Sequence, residues 1–515
     1  MYRQVESSCQ LPEKFEIGQE YKLSPSNRWV IMANLIPWAE FESEYAKNFP
    51  SEMGAPAKPF RMALGALIIK EKLGTSDRET VEQIRENPYL QYFIGLEEYQ
   101  DEAPFDPSML VHFRQRIGLE LVNQINSKLV AENRTEEREE QSEKKSTKDS
   151  ENGLEEKRNR GKLIVDASCA PADVKYPTDL DLLAAARVES EKIIDILDRK
   201  NRPKGKKKPR THRKTARKEY LKVAKQRRTT NKNRRKALKK QLQYLKRNLG
   251  HIGRLLDASE SILLKRKQHR KLLIIKEVYR QQLEMYEKNT HRIDDRIVSI
   301  NQPHIRPIVR GKTGKPVEFG AKISASCQDG YVFLDRISWD NYNESGELIT
   351  QIEAFKEANG CYPESVHADK IYRTRANRAW CKERGIRLSG SPLGRPKKEV
   401  DALRKKQAQS DEKIRNQIEG KFGVAKRRFS LDRVMTKLPE TSETSIAITF
   451  LVMNLSHLLR QIIWDFFVSL IVDCRPLSIY TVNRLKILLE SPLNLTKTYH
   501  SRSSERISKC NHSIA

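Results

Sequence analysis

Three acidic residues, far apart in the chain, have the surroundings that a site for phosphoryl transfer requires. Asp166 closes the short apolar run that begins at Lys162, and Asp369 closes a second short run that begins at Glu364. Ligands and reacting groups of α/β proteins gather at the carboxyl ends of strands. The sequence therefore predicts that both aspartates end strands at one edge of a sheet, while Glu419 approaches from a long predicted helix.

Three carboxylates brought together without a cation repel one another and raise each other's pKa values. Two divalent cations remove that penalty and suit an in-line displacement at phosphorus, in which a water or a 3′-hydroxyl attacks. Hard oxygen ligands favour Mg²⁺ or Mn²⁺ over zinc. Asp166, Asp369 and Glu419 are therefore the candidate metal ligands and catalytic residues, with two Mg²⁺ (or Mn²⁺) ions as cofactors.

No single acid is a specific signal, because the chain has 68 Asp and Glu residues and an aspartate after a strand is often a turn former. Asp173, Asp179 and Asp181 lie near the first acid and are alternatives to it. Asp166 is preferred because it ends the apolar strand.

The third acid lies in a patterned helix. Arg415, Glu419 and Lys426 are spaced so that one helical face carries all three side chains. An ordinary surface ladder of salt bridges has the same spacing. The apolar Ile418 and Phe422 beside the stripe favour a groove edge, where two cations position phosphates around an acid.

These blocks resemble the bacterial insertion-sequence transposases of the DDE class, which carry a Y-R-E-K signature. Arg415, Glu419 and Lys426 match R-x3-E-x6-K, whereas Glu412 stands where that family has its tyrosine. The segment 367–377 resembles the family's block around the second acid, with Ile371 in place of the usual glycine. The segment 163–173 resembles the first-acid block, and residues 60–117 resemble the family's N-terminal helical domain.

The resemblance implies a DNA transposase that hydrolyses phosphodiester bonds and transfers strands at the ends of an insertion sequence. It implies a ribonuclease-H-like catalytic domain, the catalytic set Asp166, Asp369 and Glu419, and phosphate-binding roles for Arg415 and Lys426. The expected partners are double-stranded DNA, both terminal repeats and target, and further copies of the chain. A cytoplasmic, nucleoid-associated protein is expected, with no membrane partner.

Two more cations, Lys370 and Arg373, follow the second acid and are candidates to bind the DNA backbone. His367 in the same block is more simply explained as a structural histidine than as a base, and Trp339 as a core residue than as a platform for a base. The glycine-rich segment 309–315 lacks the spacing of a phosphate loop, so no nucleotide cofactor is expected.

The net charge of +29 is concentrated in one segment. Residues 201–280 hold 30 Lys and Arg against four acids, and the remainder of the chain is close to neutral. Such a positive field attracts polyanions, and the release of counterions from DNA or RNA would supply much of the binding affinity. It also supports an alternative function, that of a nucleic-acid-binding protein without catalysis. A third possibility is an inactive transposase copy.

The pattern along the chain predicts an α/β protein with an N-terminal all-α domain and an inserted basic helical hairpin. The mean hydropathy of the chain, −0.71, favours a soluble protein. The apolar segment 462–474 is interrupted by Asp465 and is too short to span a bilayer, so a core helix is expected there. The seven cysteines show no zinc-ligand spacing and are expected to be reduced. The predicted domains are a helical DNA-binding domain (1–130), a charged linker (131–160), a catalytic domain (161–200 and 295–465), the insertion (201–294) and a tail (466–515).

Overall fold

The computed structural model describes Tyr2, Phe15 and residues 22–49, 56–143, 159–201, 207–258, 264–312, 315–390 and 402–473. Residues up to His457 form one compact unit, and the chain from Leu458 onward forms a second. Most of the predicted tail, 474–515, and the middle of the predicted linker, 144–158, lie outside the described residues.

The N-terminal region is helical, as the periodicity predicts. Its helices are α1 (Arg28–Leu35), α2 (Trp38–Ala46), α3 (Phe60–Leu73), α4 (Asp77–Glu86), α5 (Pro88–Phe93) and α6 (Met109–Glu143). Ser76 caps α4 by accepting a hydrogen bond from the backbone N–H of Glu79, as expected from its position. Helix α6 kinks at Gly118, where φ is +72°.

The first part of the predicted linker is helical. Residues 131–143 continue α6 without a break in the helix. The polar, highly charged composition of this stretch supplies no apolar face. The stretch nevertheless contains residues of high helix propensity, and a helix that has already formed adds residues without a new nucleation cost.

A six-stranded mixed sheet forms the centre of the second half of the fold. Its strands are β1 (Lys162–Pro171), β2 (Arg306–Lys312), β3 (Lys315–Gln328), β4 (Tyr331–Ser338), β5 (Ser365–His367) and β6 (Arg387–Leu388). The order is β2-β3-β1-β5-β6, and β4 also pairs with β3. Strands β1 and β3 are antiparallel, whereas β5 and β6 run parallel to β1.

The predicted hairpin between β3 and β4 is confirmed. Asp329 (φ +50°) and Gly330 (φ +87°) form its two-residue turn, in the left-handed conformation that favours aspartate and glycine. Strand β3 pairs with β1 along one edge, and with β2 and then β4 along the other. At Gly320, a Cβ would lie 2.1 Å from the carbonyl oxygen of Ala170, so only glycine permits this close pairing of β3 with β1.

One detail of the first strand is corrected. The sequence predicts that the strand ends at Asp166 and that a turn follows, but β1 continues to Pro171. Pairing with β3 extends from Ile164 to Pro171, so cross-strand hydrogen bonds override the turn preference of the small residues after Asp166.

The described residues of the insertion form three helices instead of the two of the predicted hairpin: α8 (Arg213–Ala224), α9 (Asn231–Asp257) and α10 (Arg266–Glu287). Gly250, a predicted break, lies inside α9, whereas the break at Asp257 is confirmed. Leucines at helical spacing on α9 share a core with α10 and with the helix that follows β1, α7 (Asp179–Asn201). Helix α7 therefore joins the catalytic sheet to the insertion.

The remaining helices follow the sheet strands: α11 (Leu348–Asn359), α12 (Arg375–Glu383), α13 (Ala402–Arg428) and α14 (Pro439–Asp473). The first half of α14 is buried between the N-terminal helices and the sheet. Asn454 accepts a hydrogen bond from the backbone N–H of Val332 (2.9 Å) and donates to the Val332 carbonyl (2.8 Å) and to the Asn126 side chain (2.9 Å). Asn126 on α6 also donates to the Val332 carbonyl (3.2 Å), so two amides join α6, β4 and α14.

Helix α14 includes the one described segment, Pro439–Trp464, that is long and apolar enough to cross a membrane by length and composition, and 67% of its apolar 18-residue window is buried inside the protein. A buried core helix passes the same test. The helix predicted over 462–474 is present as far as Asp473, and its apolar side chains Ile462, Ile463, Trp464 and Val468 are exposed. The other side chains of this segment lie outside the described residues.

Replacement of Asn454 by alanine leaves the polar groups of Val332 and Asn126 buried with fewer partners. We expect the free energy of unfolding to fall by about 1–3 kcal/mol, the cost of burying unsatisfied polar groups. Urea denaturation followed by circular dichroism measures the change. Asn416→Ala, at an exposed position of α13, is the matched control, and equal losses for both variants would contradict the assignment.

Candidate functional site

Strand register brings the first two acids together. Strands β1 and β5 are parallel, with Ile164 paired to His367. Asp166 and Asp369 each follow these paired residues by two positions, so both aspartates lie at the same end of the same pair of strands. Both line one open cleft of about 650 Å³.

Helix α13 supplies the third acid. Ile418, Phe422 and Ala425 are buried at helical spacing, which directs the neighbouring face of the helix into the cleft. Arg415, Glu419 and Lys426 line the cleft from that face. The three predicted acids and two of the predicted phosphate-binding cations are thus brought together from three separate parts of the chain.

Helix α13 is fixed in place by a residue that the sequence reasoning missed. Asp411 accepts two hydrogen bonds from Arg387 on β6 (2.8 and 3.0 Å), and its carboxylate lies 3.6 Å from Nδ1 of His367 on β5. Burial acts to raise the pKa of Asp411, but the hydrogen bonds from Arg387 and Gln407 and the nearby positive charge together outweigh it, and the pKa is lowered. An ion pair therefore anchors the helix to β6, and its carboxylate also lies beside His367 on β5.

His367 does not line the cleft, and its structural role stays a prediction. It is fully buried, and its Nε2 lies 3.0 Å from the Ser365 hydroxyl. Burial lowers its pKa. Trp339 packs against a small cluster around Val298 and Ile305 and donates from Nε1 to Glu443 (2.6 Å), which agrees with the prediction of a packed tryptophan.

The charge balance of the cleft is unusual at Asp166. Its pKa is raised to about 6, first by burial and then by the negative charges of Glu344, Glu419 and Asp369, against one backbone hydrogen bond from Ala167 (2.8 Å). Asp369 accepts from the backbone N–H of Lys370 (2.6 Å). Among the described residues, no lysine, arginine or histidine forms a salt bridge with either aspartate. A cation is the group that this pair lacks.

Glu419 is already paired. Arg415 donates to Glu419 (2.7 Å) and, on its other side, to Glu412 (2.7 Å). These two carboxylates raise the pKa of Arg415, with the Glu412 hydrogen bond as the largest cause. Glu412, which stands where the related family has tyrosine, therefore holds part of the guanidinium away from the cleft.

Four carboxylates, with hard oxygen donors, line the cleft and fit a divalent cation by their chemistry. Across the described chain, however, no three His, Cys, Asp or Glu side chains stand close enough to form a ready-made metal cage. Arg415 engages the Glu419 carboxylate at Oε1 (2.7 Å).

Two predicted DNA contacts do not line the cleft. Lys370 is exposed beside it, and Arg373 donates to the carbonyl of Gly390. The alternatives to the first acid are engaged elsewhere: Asp173 pairs with Arg433, Asp179 with Arg296 (2.6 Å) and Asp181 with Tyr220 (2.6 Å). None of these three lines the cleft.

The cleft also contains two residues that the sequence reasoning missed, Lys322 on β3 and Glu344 in the 3₁₀ turn Glu344–Gly346. No local pattern distinguishes either from the other charged residues. The four described cysteines, Cys169, Cys327, Cys361 and Cys381, are free thiols, as expected.

Comparison with known proteins identifies two parts of the chain. Residues 366–456 match a family described as "Transposase DDE domain", and residues 18–116 match a family described as "Transposase domain (DUF772)". The first match contains Asp369 and Glu419, and Asp166 lies before it. No solved structure matches the chain.

A curated relative, "Uncharacterized protein ORF8 in nfe locus" of Rhizobium meliloti, is 40% identical over 96 residues. The match covers 19% of this chain and 46% of the relative, so the chain spans about half of the relative's length.

The raised pKa of Asp166 predicts a pH-dependent cost to stability. The folded pKa of about 6 lies above the ordinary value of 3.8, so the ionised carboxylate destabilises the fold, and stability falls as pH rises through that window. Asp166→Asn removes the cost. We expect the metal-free variant to be more stable than wild type by up to about 3 kcal/mol at pH 7.5, and to show no gain below pH 4.

Urea denaturation in EDTA at the two pH values measures the difference. Asp101→Asn, an exposed acid in a loop, is the control and should change neither value. A gain for Asp166→Asn that is independent of pH would show that charge is not its cause.

Proposed function

We propose that this chain, which belongs to the insertion-sequence transposases of the DDE class, cuts DNA at the ends of its element and joins the freed strands to target DNA. The observation that carries the proposal is the convergence of Asp166, Asp369 and Glu419 in one cleft beside Arg415 and Lys426. These residues come from two strand ends and a helix, and only the fold brings them together.

The site residues follow from this proposal. Asp166, Asp369 and Glu419 would hold two Mg²⁺ or Mn²⁺ ions, and these ions supply activation of the attacking hydroxyl and stabilisation of the leaving oxygen. Arg415 and Lys426 contact the phosphates that enter the cleft, and Lys370 and Arg373 contact the backbone at its border. Within the part of the chain that the structure describes, no side-chain cation forms a salt bridge with Asp166 or Asp369, and this supports a metal at these two acids.

We further propose a ribonuclease-H-like fold for the catalytic domain. Strand β1 pairs with the meander β3–β4 on one side in antiparallel fashion, and with the parallel strands β5 and β6 on the other. A helix crossing after the last of these strands carries the third acid. This arrangement of the acids on the first strand, on a parallel neighbour and on a later helix supports the assignment.

The basic insertion would grip DNA through its backbone. On α9, Lys232, Lys236, Lys239 and Lys246 are exposed and recur at helical spacing, on a face separate from the leucines that fill the core. A stripe of this kind fits phosphates and carries no pattern that reads bases. The N-terminal helices provide a second DNA-binding surface, and the joining of two element ends requires more than one copy of the chain.

The reaction is tested by incubating the protein with DNA that carries the gene's own flanking ends, in Mg²⁺ or Mn²⁺. Wild type is expected to cut at the element boundaries, and Glu419→Gln and Asp369→Asn are expected to cut at background level while binding DNA with wild-type affinity. Glu357→Gln, at an exposed position of α11 that does not line the cleft, is the matched control and is expected to retain cutting.

Equal cutting by wild type and Glu419→Gln would remove Glu419 from the site. Binding by wild type with no cutting of any end would instead favour a nucleic-acid-binding protein without catalysis, or an inactive copy.

The lysine stripe is tested by the salt dependence of DNA binding. Substitution of Lys236, Lys239 and Lys246 by glutamine should lower the slope of log K against log salt by about one for each phosphate that the variant no longer neutralises. Fluorescence anisotropy with an arbitrary duplex measures the slope. Glutamine at Lys47, Lys356 and Lys382, three exposed lysines elsewhere, changes the net charge equally and should leave the slope nearly unchanged.

A further inference from the structure

The cleft holds a fourth carboxylate whose position is built into the fold. Glu344 lines the cleft with the three predicted acids, and its side chain is 19% exposed. It begins the 3₁₀ turn Glu344–Gly346, which is capped by Asn343 through the backbone N–H of Ser345 (3.2 Å).

A single buried amide fixes Glu344 relative to the second acid. The side chain of Asn377 on α12 is 5% exposed and donates to the carbonyl of Ser345 (2.8 Å) and to the carbonyl of Tyr372 (2.9 Å). Tyr372 ends the turn Lys370–Tyr372 that directly follows Asp369. The turns that carry Glu344 and follow Asp369 are therefore held together by one side chain.

A buried tyrosine hydroxyl lies near the carboxylates Glu344 and Asp166. The Tyr372 side chain is fully buried, and its hydroxyl has no hydrogen-bond partner within the part of the chain that the structure describes. Burial raises its pKa, and the charges of Glu344 and Asp166 raise it further. The Tyr372 hydroxyl therefore lies within electrostatic reach of two carboxylates of the cleft.

Cations of the chain neutralise two of the four acids. Lys322 Nζ lies 3.6 Å from Glu344 and donates to the Tyr342 carbonyl (2.7 Å), and it is itself largely buried. Arg415 likewise forms an ion pair with Glu419. Lys322 and Arg415 thus stand beside the outer acids, and the pair Asp166 and Asp369 between them remains without a side-chain cation in the described chain.

From this arrangement we infer that Glu344 is a fourth carboxylate ligand of the proposed metal site, and that Lys322 is its counter-ion while the metal is away. The inference rests on the proposed function, since it adds a ligand to the same site. Metal binding displaces Lys322 from Glu344, and the released ammonium becomes available to a phosphate in the cleft. No covalent bond changes in this exchange.

The test is Mn²⁺ binding to the full-length protein, followed by electron paramagnetic resonance of free Mn²⁺ and without any DNA cleavage readout. It is run without DNA and with an arbitrary duplex. Glu344→Gln is expected to weaken Mn²⁺ binding by roughly 10–100-fold, the range for loss of a group that supports a metal site. Lys322→Gln is expected to tighten binding several-fold, because a competing cation is removed.

Glu347→Gln is the matched control. Glu347 lies three residues further along the same segment, pairs with Arg336, does not line the cleft and should bind Mn²⁺ like wild type. Circular dichroism melts of all variants in EDTA show whether each one is folded, and Glu344→Asp, which keeps the carboxylate, should recover part of the affinity.

Three results overturn the inference. Wild-type Mn²⁺ binding by Glu344→Gln, together with weakened binding by Asp166→Asn, would remove Glu344 from the site and leave the proposed function intact. If Glu347→Gln lowered the Mn²⁺ affinity by the same factor as Glu344→Gln, the effect would come from the change in net charge and not from a lost ligand. No Mn²⁺ binding by wild type in either condition would contradict the inference and the metal-dependent function together.

Discussion

The structure is organised around the negative charge that four acidic side chains bring to one cleft, with Asp166 on the buried strand β1 at its centre. Asp166 lies in the middle of β1, where burial and three neighbouring carboxylates oppose its ionisation. A protein that only needed a stable sheet would place an apolar residue at this position, because desolvated like charges cost free energy. A cation beside the Asp166 carboxylate, free or bound to a phosphate, would offset the free-energy cost of its ionisation. The carboxylates around Asp166 are placed where they could share such a cation.

Polar anchors hold that arrangement together with the apolar cluster around Leu163, Val165 and Val366. Asn377 ties the turn of Glu344 to the turn after Asp369, and the Arg387–Asp411 pair ties α13 to β6. Buried groups of this kind are costly when they lose a partner, so they define one geometry. The same logic holds at the larger scale, where Asn126 and Asn454 join the N-terminal helices to the sheet through Val332.

The charges of the chain are divided between two tasks. In the cleft, Lys322 and Arg415 each pair with a carboxylate, so the metal-free protein carries its own counter-ions. On α9, by contrast, the exposed lysines face solvent on a helix whose opposite contacts are apolar. The first group balances charge over a few ångströms, and the second creates the long-range field expected to attract DNA. Glu412 restrains Arg415 through a charged hydrogen bond.

The sequence by itself determined the type and order of most elements, because hydrophobic periodicity and turn residues are local properties. It predicted α4 with its Ser76 cap, the β3–β4 hairpin with its Asp329-Gly330 turn, and the helix that bears Glu419. It also selected Asp166, Asp369 and Glu419 as a group, through three short motifs whose order resembles one family. The transposase matches over 18–116 and 366–456 agree with that family.

Only the tertiary structure decided what depends on partners distant in sequence. Strand β1 passes beyond Asp166 because β3 pairs with it, and α7 joins the insertion because its apolar face meets α9 and α10. Glu344 and Lys322 enter the cleft without any local signal, since their importance comes from the residues across the cleft. Charge–charge energies and strand pairing act between residues that are close in space, and the linear pattern records only neighbours along the chain.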